Sequence, residues 1–243
     1  MRKFGQNCAV GKAVGYGEDF IERLCRFTSY IIILKSLSEK TRRSIDPQTI
    51  HNCLYQSFKL PPPVVKTAIL QKYADYDQQV QTLLEDFAQY SDEQLNRPPA
   101  NGGWSPIQVL HHLILTDELS LAYIRKKLSF NPTLEKVGLG NHWRSLLLTV
   151  FLQSPFKFKA PAMIGDSNLP AFATLADTRN RWERARRDWQ QYLPEIPDQL
   201  LDKQVYKHPF AGRLSWLQTV DFIHGHFRRH RKQAWRALAS AGL

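Results

Sequence analysis

The chain has 243 residues, 43% of them hydrophobic, which suits one folded domain of about 150 to 200 residues plus an extension. Its net charge of +11 suggests anionic partners, but the excess is concentrated in residues 1–63 and 213–243, each of which carries five more Lys/Arg than Asp/Glu. Three cysteines without CxxC spacing argue against a disulfide framework or a thiolate zinc site, and no apolar run approaches the ~20 residues of a membrane span. We therefore expect a cytoplasmic protein without a signal peptide or a membrane partner.

The first part of the chain differs in pattern from the rest. Residues 1–63 show no sustained apolar period, and the change comes at "LPPPVV", residues 60–65. We interpret residues 1–63 as an amino-terminal extension, weakly ordered or packed in short helices, and residues 64–243 as the folded domain. The fold of that domain should not require the extension.

The first long helix is predicted directly after this boundary. Apolar residues recur there at alternating spacings of three and four, which places them on one helix face. They are Ile69, Tyr73, Tyr76, Val80, Leu83 and Phe87.

A second helix is predicted from "WSPIQVLHHL", residues 104–113. Ser105 can cap it, Pro106 suits the first helical position, and Gln108 can complete a capping box. The helix should extend to about residue 128. The long connection that follows, residues 129–173, contains a short amphipathic helix, "HWRSLLLTVFLQ", and is long enough to cross a helical bundle.

Two more helices complete the prediction. The third should end before Pro194, and the fourth should begin near Ser215, where Gln218 again stands three residues on. Their buried stripes are Leu175, Thr178, Trp182, Ala185, Trp189 and Tyr192, and then Trp216, Val220, Ile223, Phe227, His230, Ala234 and Ala237. No strand pattern is evident, so the expected fold is an all-α four-helix bundle with a long crossover connection.

The last helix carries three histidines with different orientations. At ~100° per residue, His226 and His230 share the inward stripe, whereas His224 lies about 120° from His230. Two imidazoles one turn apart can bind the same divalent ion. The alternative is that these histidines form ordinary hydrogen bonds inside the core.

The second helix offers His111 and His112 as a further ligand. This helix is apolar on two faces, so its spacing does not decide which histidine points into the bundle. Both remain candidates on this evidence.

Three short motifs resemble the DinB/YfiT-like superfamily of metal-binding four-helix bundles: "WS" at 104–105, "HL" at 112–113, and "HFRRHRKQ" at 226–233. The resemblance covers roughly residues 64 to 240. Carried over position by position, it implies a metal-binding triad of His112, His226 and His230, with no ligand role for His111 or His224.

The resemblance also implies a chemistry. The ion is usually nickel, zinc or iron, and characterised relatives include thiol-dependent transferases and isomerases that use low-molecular-weight thiols. Three imidazole ligands leave a position for water or a small-molecule substrate, which fits hydrolysis or thiol transfer.

Neighbouring polar residues have expected roles as well. Asp117 and Glu118 should be solvated or ion-paired carboxylates rather than general bases, and Gln233 should support a ligand rather than bind the ion. Arg229 could hold a carboxylate of a thiol cofactor, although a solvent-exposed role is favoured.

Two other functional classes remain open. One is a non-catalytic bundle that uses the metal for structure or sensing. The other, which is less favoured, is a nucleic-acid-binding protein, because Arg228, Arg229, Arg231, Lys232 and Arg236 form a basic surface without a recognisable binding motif. A homodimer through exposed apolar faces of the first two helices is a further expectation.

Overall fold

The computed structural model describes residues 62–100, 102–154 and 165–240. The proposed extension, residues 1–63, therefore lies outside the described residues except for its last two, with which the first helix begins. None of the described helices is both long enough and apolar enough to cross a bilayer.

The described residues form six α-helices, and the four long ones are those predicted from sequence, which confirms the all-α bundle. The helices are α1 (Pro62–Phe87), α2 (Asp92–Asn96), α3 (Pro106–Ser129), α4 (Leu139–Gln153), α5 (Leu175–Tyr192) and α6 (Trp216–Ser240). Single 3₁₀ turns lie at Asp166–Asn168 and Asp198–Leu200. Helix α4 is the predicted amphipathic helix of the long connection.

A small antiparallel hairpin precedes α6. Its strands are β1 (Tyr206–His208) and β2 (Gly212–Leu214), and Tyr206 pairs with Leu214. The expectation of no strand was wrong at this point, because three-residue strands are too short to show an alternating pattern. The turn depends on Gly212, whose φ of 72° favours glycine.

Capping boxes define where α3 and α6 begin. The Ser105 amide donates to Gln108 Oε1 at 3.0 Å, and the Gln108 amide donates to Ser105 Oγ at 3.3 Å. Ser215 and Gln218 repeat both bonds at the same distances. Because these bonds satisfy amides that lack helical partners, they determine the first residue of each helix.

The predicted apolar stripes meet in the centre of the bundle. Every predicted stripe residue of α1 is buried, and Trp182, Trp189 and Trp216 are completely so. Full burial of an apolar side chain such as Val80, Leu83 or Phe87 contributes about 1.5 to 3 kcal/mol. Helix α6 packs against α3, α1 and α4, so a side chain on its inner face is surrounded by three helices.

Candidate metal centre

Three histidines from two helices meet between α3 and α6. Their ligand nitrogens, one each from His112, His226 and His230, all lie within 4.8 Å of one another. The Nε2 atoms of His112 and His226 are 3.2 Å apart, and the three rings have centroid separations of 4.4 to 5.0 Å. His112 and His226 are buried and His230 is half-buried. We call these residues the three-histidine cluster.

Local structure explains the convergence. His226 and His230 are one turn apart on α6, so their side chains lie on the same face. Gly225, just before His226, allows α4 to pack closely, since an added Cβ would lie 3.2 Å from Cδ1 of Leu152. On α3, the face that meets α6 is the one that carries His112.

The cluster has donors that suit a divalent ion, and one pair of them has the spacing found around such an ion. Two nitrogens bound at about 2.0 to 2.1 Å to a tetrahedral ion lie about 3.3 Å apart. The observed separation of 3.2 Å between His112 and His226 agrees with that value. Imidazole ligands suit zinc, copper, iron and nickel. The residues present therefore fit a metal ion without specifying which one.

Burial lowers the pKa of two cluster histidines, His226 and His230. It lowers the pKa of His230 to about 3, an effect to which the charge of His112 adds. The pKa of His226 lies well below its ordinary value because of burial and then the charge of His230. Neutral rings have a nitrogen lone pair available at neutral pH, as metal binding requires.

Gln233 fixes the orientation of one cluster ring. The Oε1 atom of Gln233 lies 2.8 Å from Nδ1 of His230. Because an amide oxygen can only accept, Nδ1 carries the proton and Nε2 carries the lone pair. The contact orients the His230 ring, and the role of Gln233 as a support for a metal ligand stays a prediction.

Trp104 covers one edge of the cluster. Its ring lies 4.8 Å from that of His112 and stacks on that of His230 at 6.5 Å between centroids. Its indole Nε1 donates to Oδ1 of Asp166. The family motif included Trp104, but its packing against the imidazoles was not evident from the sequence.

The two other candidate histidines are engaged elsewhere. Nε2 of His111 lies 3.1 Å from Oγ1 of Thr178, and its Nδ1 accepts from Nη1 of Arg181 at 3.3 Å. Nε2 of His224 lies 2.9 Å from Nε2 of Gln79 on α1. Neither residue joins the cluster, which agrees with the roles implied by the family resemblance.

The two carboxylates that follow on α3 have different environments. Glu118 pairs with Arg181, with 2.6 Å between Oε2 and Nη2, as expected for an ion-paired group. Asp117 is buried and forms no ion pair with any residue that the structure describes, so the expectation of a solvated or ion-paired carboxylate was wrong. Oδ2 of Asp117 accepts from the Tyr76 hydroxyl and, at 3.0 Å, from Nε1 of Trp182. Burial raises the pKa of Asp117 to about 7.

Arg229 serves the scaffold. Its Nη1 donates to the main-chain oxygens of Ser154 at 2.7 Å, Leu152 at 3.3 Å and Phe151 at 3.5 Å. These carbonyls lie at the carboxyl end of α4. The last carbonyls of a helix have no amide donor within the helix, and the helix dipole attracts cations to this end. The solvent-exposed role expected for Arg229 is thus replaced by a helix-capping one.

Sequence reasoning missed His208, which lies close to the cluster. The side chain belongs to β1, is buried, and has its ring centroid 4.5 Å from that of Phe222. The Phe222 ring is in turn 5.4 Å from that of His226. A turn sequence, "PFAG" at 209–212, follows His208 and was the available signal for this arrangement.

Comparisons with known proteins agree with this architecture. The sequence matches the family model of the DinB superfamily over residues 75–234, which is more than half of the chain. Provisionally named metal-dependent hydrolases of Bacillus cereus strain AH820 and Bacillus anthracis strain CDC 684 are each 26% identical over 164 residues, covering 66% of this chain and 78% of the relative. A similarly named protein of Bacillus mycoides strain KBAB4 matches with the same identity and coverage. No solved structure gives a significant match.

Proposed function

The chain belongs to the DinB superfamily, and from that premise we propose that it is a metal-dependent hydrolase whose divalent ion is held by His112, His226 and His230. The observation that carries the proposal is the convergence of three imidazoles, two of them buried and one half-buried. The names of the relatives support hydrolysis as the reaction class.

The number of ligands favours a reactive site over a structural one. Structural zinc sites are closed by four protein ligands, whereas catalytic sites use three and keep one position open. Among the described residues, the cluster offers three side chains that can bind a metal, and all three are histidines. A divalent ion held there would act as a Lewis acid that polarises a carbonyl group or acidifies a water molecule.

The surrounding side chains prepare the site for that chemistry. Gln233 holds the His230 ring in one tautomer. Trp104 and Phe222 pack their rings against cluster histidines and reduce the access of bulk water. Electrostatic interactions inside such a site are stronger than in water because the local dielectric constant is lower.

Hydrolysis of a small-molecule substrate is favoured over transfer to a low-molecular-weight thiol. The thiol reaction would be helped by a cation that binds the carboxylate of the cofactor, and Arg229 was the candidate. Its Nη1 instead donates to three carbonyls at the end of α4. The thiol-dependent reaction is the second candidate and can be tested on the same protein.

The first test is elemental analysis of protein purified without a polyhistidine tag or added metal. We expect one divalent ion per chain, and we expect His112→Ala to remove it. His111→Ala is the matched control, because its neighbours on α5 hold His111 outside the cluster. Loss of the ion from His111→Ala together with retention by His112→Ala would refute the assignment.

The second test is turnover. Metal-loaded protein should hydrolyse members of a panel of carboxylic esters and amides, and His226→Ala should not. The same panel with added cellular thiols separates hydrolysis from thiol transfer. A full complement of ion without turnover in either series would instead support a structural or sensing role.

A further inference from the structure

His208 lies on the inner face of the hairpin. Along β1, Tyr206 and His208 point towards the bundle and Lys207 points outwards. The Tyr206 hydroxyl accepts from Oγ of Ser120 on α3 at 3.1 Å, and the Tyr206 ring stacks on Phe222 of α6 at 6.1 Å. The hairpin is therefore held against the two helices that carry the three-histidine cluster.

The turn of the hairpin determines the tautomer of His208. Nδ1 of His208 accepts hydrogen bonds from the main-chain amides of Phe210 at 3.2 Å and Ala211 at 3.1 Å. A ring nitrogen that accepts must present a lone pair, so the proton of the neutral ring is on Nε2. Burial lowers the pKa of His208 to about 4, which keeps the ring neutral at pH 7. His208 is thus a pre-oriented N–H donor.

That donor has no acceptor within the part of the chain that the structure describes. The His208 bonds to its own turn use Nδ1, and the side chain is only 6% exposed. Among the described residues, the fully buried side-chain N or O atoms without a partner are Nε of Arg186 and Nε1 of Trp216, so Nε2 of His208 remains accessible to another molecule. A bound molecule with an oxygen near Nε2 would satisfy it.

His208 is close to the cluster without belonging to it. Phe222 contacts both histidine rings, at 4.5 Å from His208 and 5.4 Å from His226. After burial and the charges of the other two cluster residues, the charge of His208 also lowers the pKa of His226. Among the described residues, however, the ligand atoms within 4.8 Å of one another are those of the cluster alone.

We propose that His208 is a substrate-binding residue whose Nε2–H donates a hydrogen bond to a carbonyl or carboxylate oxygen of the molecule bound at the three-histidine cluster. The inference rests on the proposed function and narrows its substrate class to carbonyl compounds such as carboxylic esters and amides. A neutral, pre-oriented donor suits an oxygen that gains negative charge during hydrolysis, because no reorganisation is needed to meet it.

Two substitutions separate this role from that of the turn. His208→Asn keeps an oxygen that can accept from the Phe210 and Ala211 amides, but its shorter side chain has no donor at the position of Nε2–H. His208→Gln places an amide N–H near the position of Nε2 and gives up the bonds to the turn. The pair therefore distinguishes loss of the donor from disturbance of the hairpin.

The test uses cobalt(II)-loaded full-length protein and acetate as the probe, with binding followed by the visible spectrum of the ion. We expect equal cobalt content in the wild type and both variants. Acetate affinity should fall about 3- to 10-fold in His208→Asn, the effect of one hydrogen bond, and less in His208→Gln. In the wild type with zinc, acetate should also shift the ¹⁵N–¹H signal of His208 Nε2, a readout that does not depend on folding of a variant.

The outcomes also separate this inference from the proposed function. Absence of metal from the wild type would refute both. Full metal content with equal acetate affinity in the wild type and His208→Asn, or with no acetate binding at all, would refute the role of His208 alone. Loss of cobalt from both His208 variants would make His208 part of the metal site and would also overturn the proposal.

Discussion

The Nε2 atoms of His112 and His226 lie 3.2 Å apart, although 114 positions separate the two residues in the chain. Helices α3 and α6 bring them together, and His230 follows one turn after His226. Two ring nitrogens this close either share a hydrogen-bonded proton or bind the same ion. This relationship is the structural basis of the proposed metal site.

Gln233 should determine how tightly the ion is held. Replacing it by Ala removes the acceptor for Nδ1–H of His230, so the ring loses its fixed tautomer. We expect about 10- to 100-fold weaker zinc binding, as is typical for groups that orient a ligand. Competition with a chromophoric chelator measures the affinity. The control is Arg236→Ala on the exposed side of α6, and equal affinity in both variants would contradict the assigned role.

Asp117 should make stability depend on pH. Its folded pKa of about 7 is above the ordinary 3.8, so the folded state binds the proton more tightly. The contribution of Asp117 to the free energy of unfolding is fully present below about pH 4, and it is lost as the pH rises through about 7. Between pH 5 and pH 8 we expect a loss on the order of 2 to 3 kcal/mol in the free energy of unfolding.

Urea unfolding of Asp117→Asn at the two pH values tests this expectation. The amide can still accept from Tyr76 and Trp182 but does not titrate, so its pH dependence should be smaller than that of the wild type. The exposed Asp188→Asn should behave like the wild type. A pH dependence unchanged by Asp117→Asn would show that other groups cause it.

Gly225 should tolerate one added methyl group and little more. An added Cβ lies 3.2 Å from the terminal Cδ1 of Leu152, which can shift. In Gly225→Ala the gain in helix propensity, about 1 kcal/mol, offsets the crowding. Gly225→Val should destabilise the fold by about 1 to 3 kcal/mol, because a branched side chain must push α4 away from α6. Chemical denaturation compares the two, and equal stabilities would argue against close packing here.

Arg229 should contribute to stability rather than to metal binding. Arg229→Met keeps much of the aliphatic stem but removes the bonds to the carbonyls of Phe151, Leu152 and Ser154. We expect a loss of about 1 to 3 kcal/mol in the free energy of unfolding, with unchanged zinc content. Arg228→Met is the exposed neighbour and should have little effect. Loss of zinc from Arg229→Met would place the guanidinium in the metal site instead.

The division between extension and folded domain is a further prediction. Helix α1 begins at Pro62. A chain that starts at residue 61 should remain helical, unfold in one cooperative transition and bind one divalent ion per chain. Circular dichroism during thermal unfolding, together with elemental analysis, tests this. A broad, non-cooperative transition would show that residues 1–60 belong to the core.

The helices of this protein were predictable because their determinants are local. The stripe from Ile69 to Phe87 repeats at helical spacing, and each of its predicted members is buried. The starts of α3 and α6 depend on Ser and Gln three positions apart, which form both bonds of the capping box. Both signals lie within a few residues of the structure that they specify.

The sequence around α3 does not determine which of its two histidines points towards α6. Because that helix is apolar on two faces, periodicity left His111 and His112 as equal candidates, and the family resemblance favoured His112. The packing of α3 decides it, since one face meets α6 and the other directs His111 towards Thr178 and Arg181 on α5. A periodic pattern identifies an inward face but does not identify the helix that packs against it.

The environments of Asp117, His208 and Arg229 depended on tertiary structure for the same reason. Asp117 accepts hydrogen bonds from residues 41 and 65 positions away, and Arg229 donates hydrogen bonds to carbonyls more than 70 positions away. His208 lies in a strand too short to show a pattern, yet the hairpin carries it to Phe222, beside His226. The sequence alone determined the helices and the residue types available for a metal site. Tertiary packing decided which of them meet, because their contacts join segments that share no local signal.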